Sequence, residues 1–436
     1  MQDSGAFLAK ARRALESVDR SMRSAEAARR PWILWSISII IALSMIGYPI
    51  ASTFADLLGV DNAVMNYPYR GLIVLLSIAV TIAGISMGHF RVPLLVAAFM
   101  LAYLLRLVTD MASIDLPLVD RDTLFYVTSV LVPTIAMGAA HFYYEERNAS
   151  LVFTALGGLA CVMIILSLIA NNAIGGEIDL GRRNYLESLN PITIAYAGIL
   201  TATASYNALS YVTRSVRLFF VWPTLVLGLL TFILGGSRGP LVGIALFFGL
   251  QALVRGRGAI AAALFLGSFV AVAAFMFADL AVFQRFVNIS NDPSVLERFY
   301  VQRLAMEQAL DTPLFGSYYL ELSTLSYPHN LLIEAFMALG LLGLVAMVFL
   351  QARLFLDVLT MMRVGHVLMP MIGTTALANA WISGSLFASR DFFMAIVLCG
   401  LIAVQIRVAR RVQSKRDQME LAVTRVTRTT SPLTTS

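Results

Sequence analysis

Twelve stretches of this chain are apolar enough, for long enough, to serve as membrane spans, and that leaves room for few other folds. A helix needs about 20 predominantly apolar residues to cross the hydrocarbon of a bilayer. The windows that qualify are 32–52, 70–88, 91–109, 123–141, 150–171, 191–211, 217–235, 240–254, 259–280, 330–350, 361–381 and 391–409. The eighth is short, and the run Gly235-Gly236-Ser237-Arg238-Gly239-Pro240 separates it from the seventh. Glycine and proline there stop one helix and start the next. With 58% hydrophobic and only 13% charged residues, the chain lies outside the range of soluble globular domains. The expectation is an all-α polytopic membrane protein of about twelve spans, with the lipid bilayer as its solvent.

Basic residues in short loops give the orientation, because lysine and arginine favour the cytoplasmic side. Lys10, Arg12, Arg13, Arg20, Arg23, Arg29 and Arg30 precede the first span. Arg91, Arg147, Arg214, Arg217, Arg255, Arg257, Arg353 and Arg363 fall in loops on that same side, and Arg407, Arg410, Arg411, Lys415, Arg416, Arg425 and Arg428 follow the last span. Both termini are therefore expected in the cytoplasm, in keeping with an even number of spans. This asymmetry accounts for most of the net charge of +6, so nucleic acid is not an expected partner. Cys161 and Cys399 lie inside apolar runs and support neither a disulfide framework nor a cysteine metal site.

Five regions follow. Residues 1–30 form a basic N-terminal segment, charged throughout and without a cleavable signal. It reads equally as a short amphipathic helix on the cytoplasmic leaflet or as a mobile tail. Residues 31–280 hold spans one to nine, 281–329 a large polar loop, 330–409 the last three spans, and 410–436 a tail expected to be disordered, with a Thr/Ser-rich end.

The arginines left on the outer side are the informative exceptions: Arg121, Arg182, Arg183, Arg238, Arg285, Arg298, Arg303 and Arg390. They oppose the orientation signal, and a phosphate-bearing ligand would favour them. Guanidinium is planar, permanently charged and bidentate toward phosphate oxygens. In a partly shielded site it would also stabilise charge developing on a leaving pyrophosphate. Arg238 stands in a glycine-flanked turn before a helix beginning at Pro240, where helix N-terminal amides add to anion binding; snorkelling toward headgroups is the bland reading. Of Arg182 and Arg183, one is expected to contact ligand, with Arg183 preferred.

The 281–329 loop is expected to close over an active site. Asp292-Pro293 reads as an N-cap and first-turn proline opening a loop helix over about 293–310. On that helix Arg298 and Gln302 share a face, while Arg303 is four residues from Glu307, so Arg303 is as much a salt-bridge residue as a phosphate ligand. Arg106 and Asp110 read as another local pair. His329 follows Pro328 at the start of span ten with Glu334 about a turn below, placed to accept or orient a hydroxyl proton near neutral pH. His89, His141 and His366 map to the opposite side as interfacial residues. No His/Asp/Glu set has ligand spacing, so no metal and no cofactor is expected.

Gly236-Ser237-Arg238-Gly239, Arg298 in the large loop, Pro313-Leu314-Phe315-Gly316, His329-Asn330-Leu331-Leu332-Ile333-Glu334 and Leu339-Gly340-Leu341-Leu342-Gly343 together resemble the O-antigen ligase/polymerase superfamily over roughly residues 180–350. One departure is the Gly316 step, where Ser317-Tyr318-Tyr319 stand in place of a second glycine. The resemblance implies a GT-C-like membrane glycosyltransferase of the bacterial inner membrane with a periplasmic active site in the large loop. The implied chemistry is inverting and metal-independent. The glycan leaves undecaprenyl diphosphate for lipid A-core in a ligase, or for the growing glycan in a polymerase. Position by position, Arg238, Arg298 and Arg183 (or Arg182) match diphosphate contacts, and His329 matches the histidine beside the acceptor hydroxyl. A membrane transporter is the competing class, but transporters place ionisable residues at mid-membrane, and here the charges gather in outer loops.

Overall fold

The computed structural model describes residues 31–113, 119–173, 186, 189–237, 239–256 and 293–430. In chain order the helices are α1 (Pro31–Leu58), α2 (Asn62–Ser86), α3 (Leu94–Ser113), α4 (Val119–Tyr143, with a π turn over Tyr126–Leu131), α5 (Glu146–Ala173) and α6 (Pro191–Ala208). They continue as α7 (Arg214–Gly235), α8 (Gly239–Arg255), α9 (Pro293–Asp311), α10 (Leu331–Met362), α11 (Leu368–Ile382) and α12 (Arg390–Thr430). Among the described residues there is no strand, only isolated bridges pairing Leu186 with Leu189 and Glu321 with Ser326.

Eight helices, α1 to α5, α7, α10 and α12, are long and apolar enough to cross a membrane, which fits a multi-pass membrane protein. They coincide with eight of the twelve windows. The 240–254 and 361–381 windows become the shorter apolar helices α8 and α11. The 191–211 window becomes α6, which is not among the helices apolar enough to span, with Asn207, two tyrosines, three threonines and Ser205 in its 18 residues. The 259–280 window and the N-terminal segment lie outside the described residues. At the other end α12 continues to Thr430, where the sequence leads one to expect a structureless tail from residue 410. That stretch holds five arginines and two glutamines, good helix formers, and its four threonines and three valines are carried by propagation from a long helix already nucleated.

Lipid tails are as apolar as leucine, so helices in a bilayer gain by close approach of backbones rather than by hiding apolar surface. Here α6 and α7 meet through Gly198, Ala202 and Gly228, and a Cβ at either glycine would run into the partner's backbone. Elsewhere α1 packs on α5, α2 on α4, and α8 on α11.

Polar clamps mark the two ends of the bundle. At one end Glu146, opening α5, accepts from Asn207 Nδ2 (2.9 Å), Val367 N (2.6 Å) and Leu368 N (2.8 Å), with His366 Nδ1 against its other oxygen. One carboxylate thus ties together α5, α6 and the start of α11. His89 lies at the same end, stacked on Phe142 at 3.8 Å. The opposite end gathers Asp110, Asp122, α9, the start of α10, the end of α11 and the start of α12. Three carboxylates are buried in the helices here: Asp110 and Asp122, where the helices run beyond the 91–109 and 123–141 windows, and Glu334, inside the 330–350 window.

Candidate functional site

The site-bearing end is built around a kink. Gly340 has φ +66° and ψ −158°, which interrupts α10. The groups freed by the break are taken up by the preceding loop: Ser317 N donates to Met337 O (2.8 Å) and Leu341 N to Pro313 O (2.7 Å). Gly316 (φ +71°) and Gly340 are close enough that a Cβ on either would strike the other segment's backbone. The Pro313–Gly316 and Leu339–Gly343 pieces, remote as sequence motifs, are two halves of one interlock.

The Ser317-Tyr318-Tyr319 departure is a docking strip. Arg106 donates to the carbonyls of Ser317 and Phe315 as well as facing Asp110 at 3.4 Å. Tyr319 N donates to Asp110 Oδ2 (2.9 Å) and its hydroxyl to Asp122 Oδ2 (3.2 Å). Glu321 closes the following turn by accepting from Ser323 N (2.7 Å), Thr324 N (2.7 Å) and Thr324 Oγ1 (2.6 Å). Burial alone would push the Glu321 carboxyl up, but these hydrogen bonds prevail and hold it below the ordinary carboxylate range.

From this platform the chain enters Tyr327-Pro328-His329-Asn330. Asn330 caps α10 by accepting from Leu332 N (3.0 Å) and Ile333 N (3.3 Å). His329 itself is left-handed, with φ +54°, an uncommon and costly conformation outside glycine. Its ring lies 4.5 Å from that of Tyr327, edge to face. Its Nδ1 is shut from solvent and meets no hydrogen-bond partner. Burial, and then the positive charge of Arg298, push the imidazole below its ordinary pKa of 6.5, with the nearby Ser383 carbonyl acting in the opposite sense. The ring is therefore neutral at neutral pH.

Arg298 reaches the same place from α9. Its Nη1 donates to Ile382 O (2.9 Å) and Ser383 Oγ (3.0 Å). Arg298 and His329 thus converge on the turn joining α11 to α12, from positions 31 residues apart in sequence. Arg303, on another face of α9, is 79% exposed and paired with Glu307 at 2.9 Å, away from this cluster. Arg182, Arg183, Arg238 and Arg285, with the Asp292 cap, lie outside the described residues.

The 383–389 turn carries no motif that would single it out from sequence, yet it is the hub of the site. Glu334 is fully buried beneath it and accepts from Ser385 Oγ (3.1 Å), Leu386 N (3.0 Å) and Tyr103 Oη (3.1 Å). The carboxylate inside the His329–Glu334 run is therefore the strut that fixes the turn meeting Arg298. Phe387, from the same turn, packs against Tyr327 at 5.5 Å and Phe125 at 6.1 Å. A second arginine also escapes the sequence reading. Arg70 is the first residue of the 70–88 window, but α2 begins at Asn62, so Arg70 sits about two turns along a helix, over the Phe125 ring at 4.6 Å.

No protein-family model matches this chain, and no curated protein matches it either.

Proposed function

We propose that the protein is an inverting glycosyltransferase of the bacterial inner membrane that moves a glycan from undecaprenyl diphosphate to a sugar hydroxyl at the periplasmic face, with ligation of O-antigen to lipid A-core as its reaction. The observation that carries this reading is the convergence of the Arg298 guanidinium and the His329 imidazole, held neutral by burial and that cation, on one turn between α11 and α12. A neutral imidazole beside a fixed cation suits deprotonation of a hydroxyl while negative charge builds on a leaving group.

In this mechanism the acceptor hydroxyl attacks the anomeric carbon from the face opposite the carrier, and its proton passes to His329. The bond from that carbon to the diphosphate oxygen breaks, and the electron pair leaves with undecaprenyl diphosphate. Arg298 compensates that charge together with Arg238 and Arg183 or Arg182, while Arg303 stays in its pair with Glu307. The strain at His329 supports a positioning role, since a left-handed histidine persists only where its surroundings enforce it. Repeat-unit polymerisation would employ the same residues with a growing glycan as acceptor.

The test is glycan transfer by purified protein with an undecaprenyl-diphosphate glycan as donor, with lipid A-core, without it, and with EDTA. Product on lipid A-core that survives EDTA is expected, and its loss in His329→Ala with the protein still folded. Longer lipid-linked chains and no lipid A-core product would establish the polymerase instead. Near-normal transfer by His329→Ala would remove His329 from the chemistry.

A further inference from the structure

A cavity of about 290 Å³ opens beside the site, between α1, α2, α4, α6, the end of α11 and the start of α12, and its wall carries Arg70, Arg390, Asp391, Tyr69, Tyr196 and the α6 N-terminus at Asn190 and Thr193. Its charges do not cancel. Arg390 is paired with Asp391 at 3.3 Å and also donates to Met45 O at 3.1 Å. Arg70 has no ion pair and no hydrogen bond among the described residues, only the Phe125 ring face. A half-buried guanidinium without an acceptor is costly.

One further feature points at the same kind of ligand. The α6 N-terminus brings the positive end of a helix dipole, and its cap is already built, since Asn190 Oδ1 accepts from Thr193 N at 2.8 Å. The Tyr196 hydroxyl on the first turns of α6 is shut from solvent and turned toward Asp391, which leaves Arg70 as the group on this wall without an acceptor. An aromatic chain then connects the cavity to the site: Arg70 lies over Phe125, Phe125 packs on Phe387, Phe387 on Tyr327, and Tyr327 on His329.

We propose that this cavity binds an oxyanion, a carboxylate or a phosphate, carried by a sugar of the transferred glycan, with Arg70 as its bidentate partner. The inference deepens the glycosyltransferase reading and rests on it for the word glycan, but not for the anion. An arginine that is neither paired nor fully solvated selects a charged group over neutral sugar hydroxyls. The chain whose specificity is set here would transfer acidic glycans in preference to neutral ones.

The experiment is a thermal-shift titration of the full-length protein in detergent with glucuronate, inorganic phosphate, pyrophosphate and glucose at constant ionic strength. It uses the wild type, Arg70→Gln, Arg70→Lys and the control Arg363→Gln, exposed at the opposite end of the bundle. Glucuronate or phosphate should raise the midpoint in the wild type and in Arg363→Gln, and glucose should not; whichever of the two anions shifts it more names the source of the oxyanion. In Arg70→Gln the apparent affinity should fall about tenfold or more, the worth of one charge-assisted hydrogen bond, and Arg70→Lys should recover part of it. An unchanged titration in Arg70→Gln overturns the proposal, as does the absence of any shift in the wild type. Pyrophosphate binding tighter than both other anions would also overturn it, by assigning the cavity to the carrier's diphosphate. Because the readout is binding, failure here leaves the transfer assay untouched, and failure of transfer leaves this titration readable.

Discussion

His329 shows how a single side chain is tuned by groups distant in sequence. In the proposed mechanism its imidazole serves as a base, which requires the neutral form, and burial and Arg298 both favour that form. Transfer activity should therefore hold at neutral pH and fall only as the pH drops through a value below the ordinary 6.5. Replacing Arg298 with glutamine removes the neighbouring cation, so the acid limb of the residual activity should move to higher pH, which a pH–rate profile on both proteins would read. A limb that stayed in place would mean that Arg298 does not act on His329 electrostatically. The pairs of Arg303 with Glu307 and Arg106 with Asp110 are legible in the sequence because they are four residues apart on one helix. The further bonds of Arg106 to Ser317 and Phe315 are not, because nothing local brings those carbonyls near.

Among the elements, α10 is defined by its break. Gly340 adopts a conformation that side chains rarely take and lies against the 313–316 backbone. Gly340→Ala should then cost about 2 kcal/mol or more, from left-handed backbone strain plus displacement of the loop, and the thermal midpoint should drop accordingly. A midpoint equal to the wild type would mean that the interlock is not tight. Below it, Glu334→Ala should destabilise by a comparable amount, since three donors lose a buried acceptor. It should also reduce transfer, because the turn that receives Arg298 loses its strut. Retained activity with lowered stability would separate the strut from the chemistry. The motifs carrying Gly316, Gly340 and Glu334 are visible in the sequence; that they contact one another is not, since loop and helix meet only after the kink has formed.

For the whole molecule, the alternation of element ends implies two faces. The loop at Ser323 and the turn at Val364, both exposed, belong to opposite ends of the bundle. Single cysteines at these positions should react with a membrane-impermeant thiol reagent from opposite sides, Ser323→Cys in intact spheroplasts and Val364→Cys only after permeabilisation. The native Cys161 and Cys399 are buried and should stay silent. Labelling of both from one side would overturn the arrangement.

Apolar run length by itself determined that this chain is a bundle of helices, several long and apolar enough to cross a membrane, because it is an additive property of short windows; the distribution of arginine carries the expectation of two unlike faces. The α9 helix was likewise written locally, in a first-turn proline and a run of good helix formers. Only the tertiary structure decided which residues form a site. Arg298 and His329 meet at a turn with no signature of its own, Glu334 supports that turn from a third element, and Arg70 faces a cavity shared by six helices. Such convergence depends on packing between elements distant in sequence, and no local window of residues contains it.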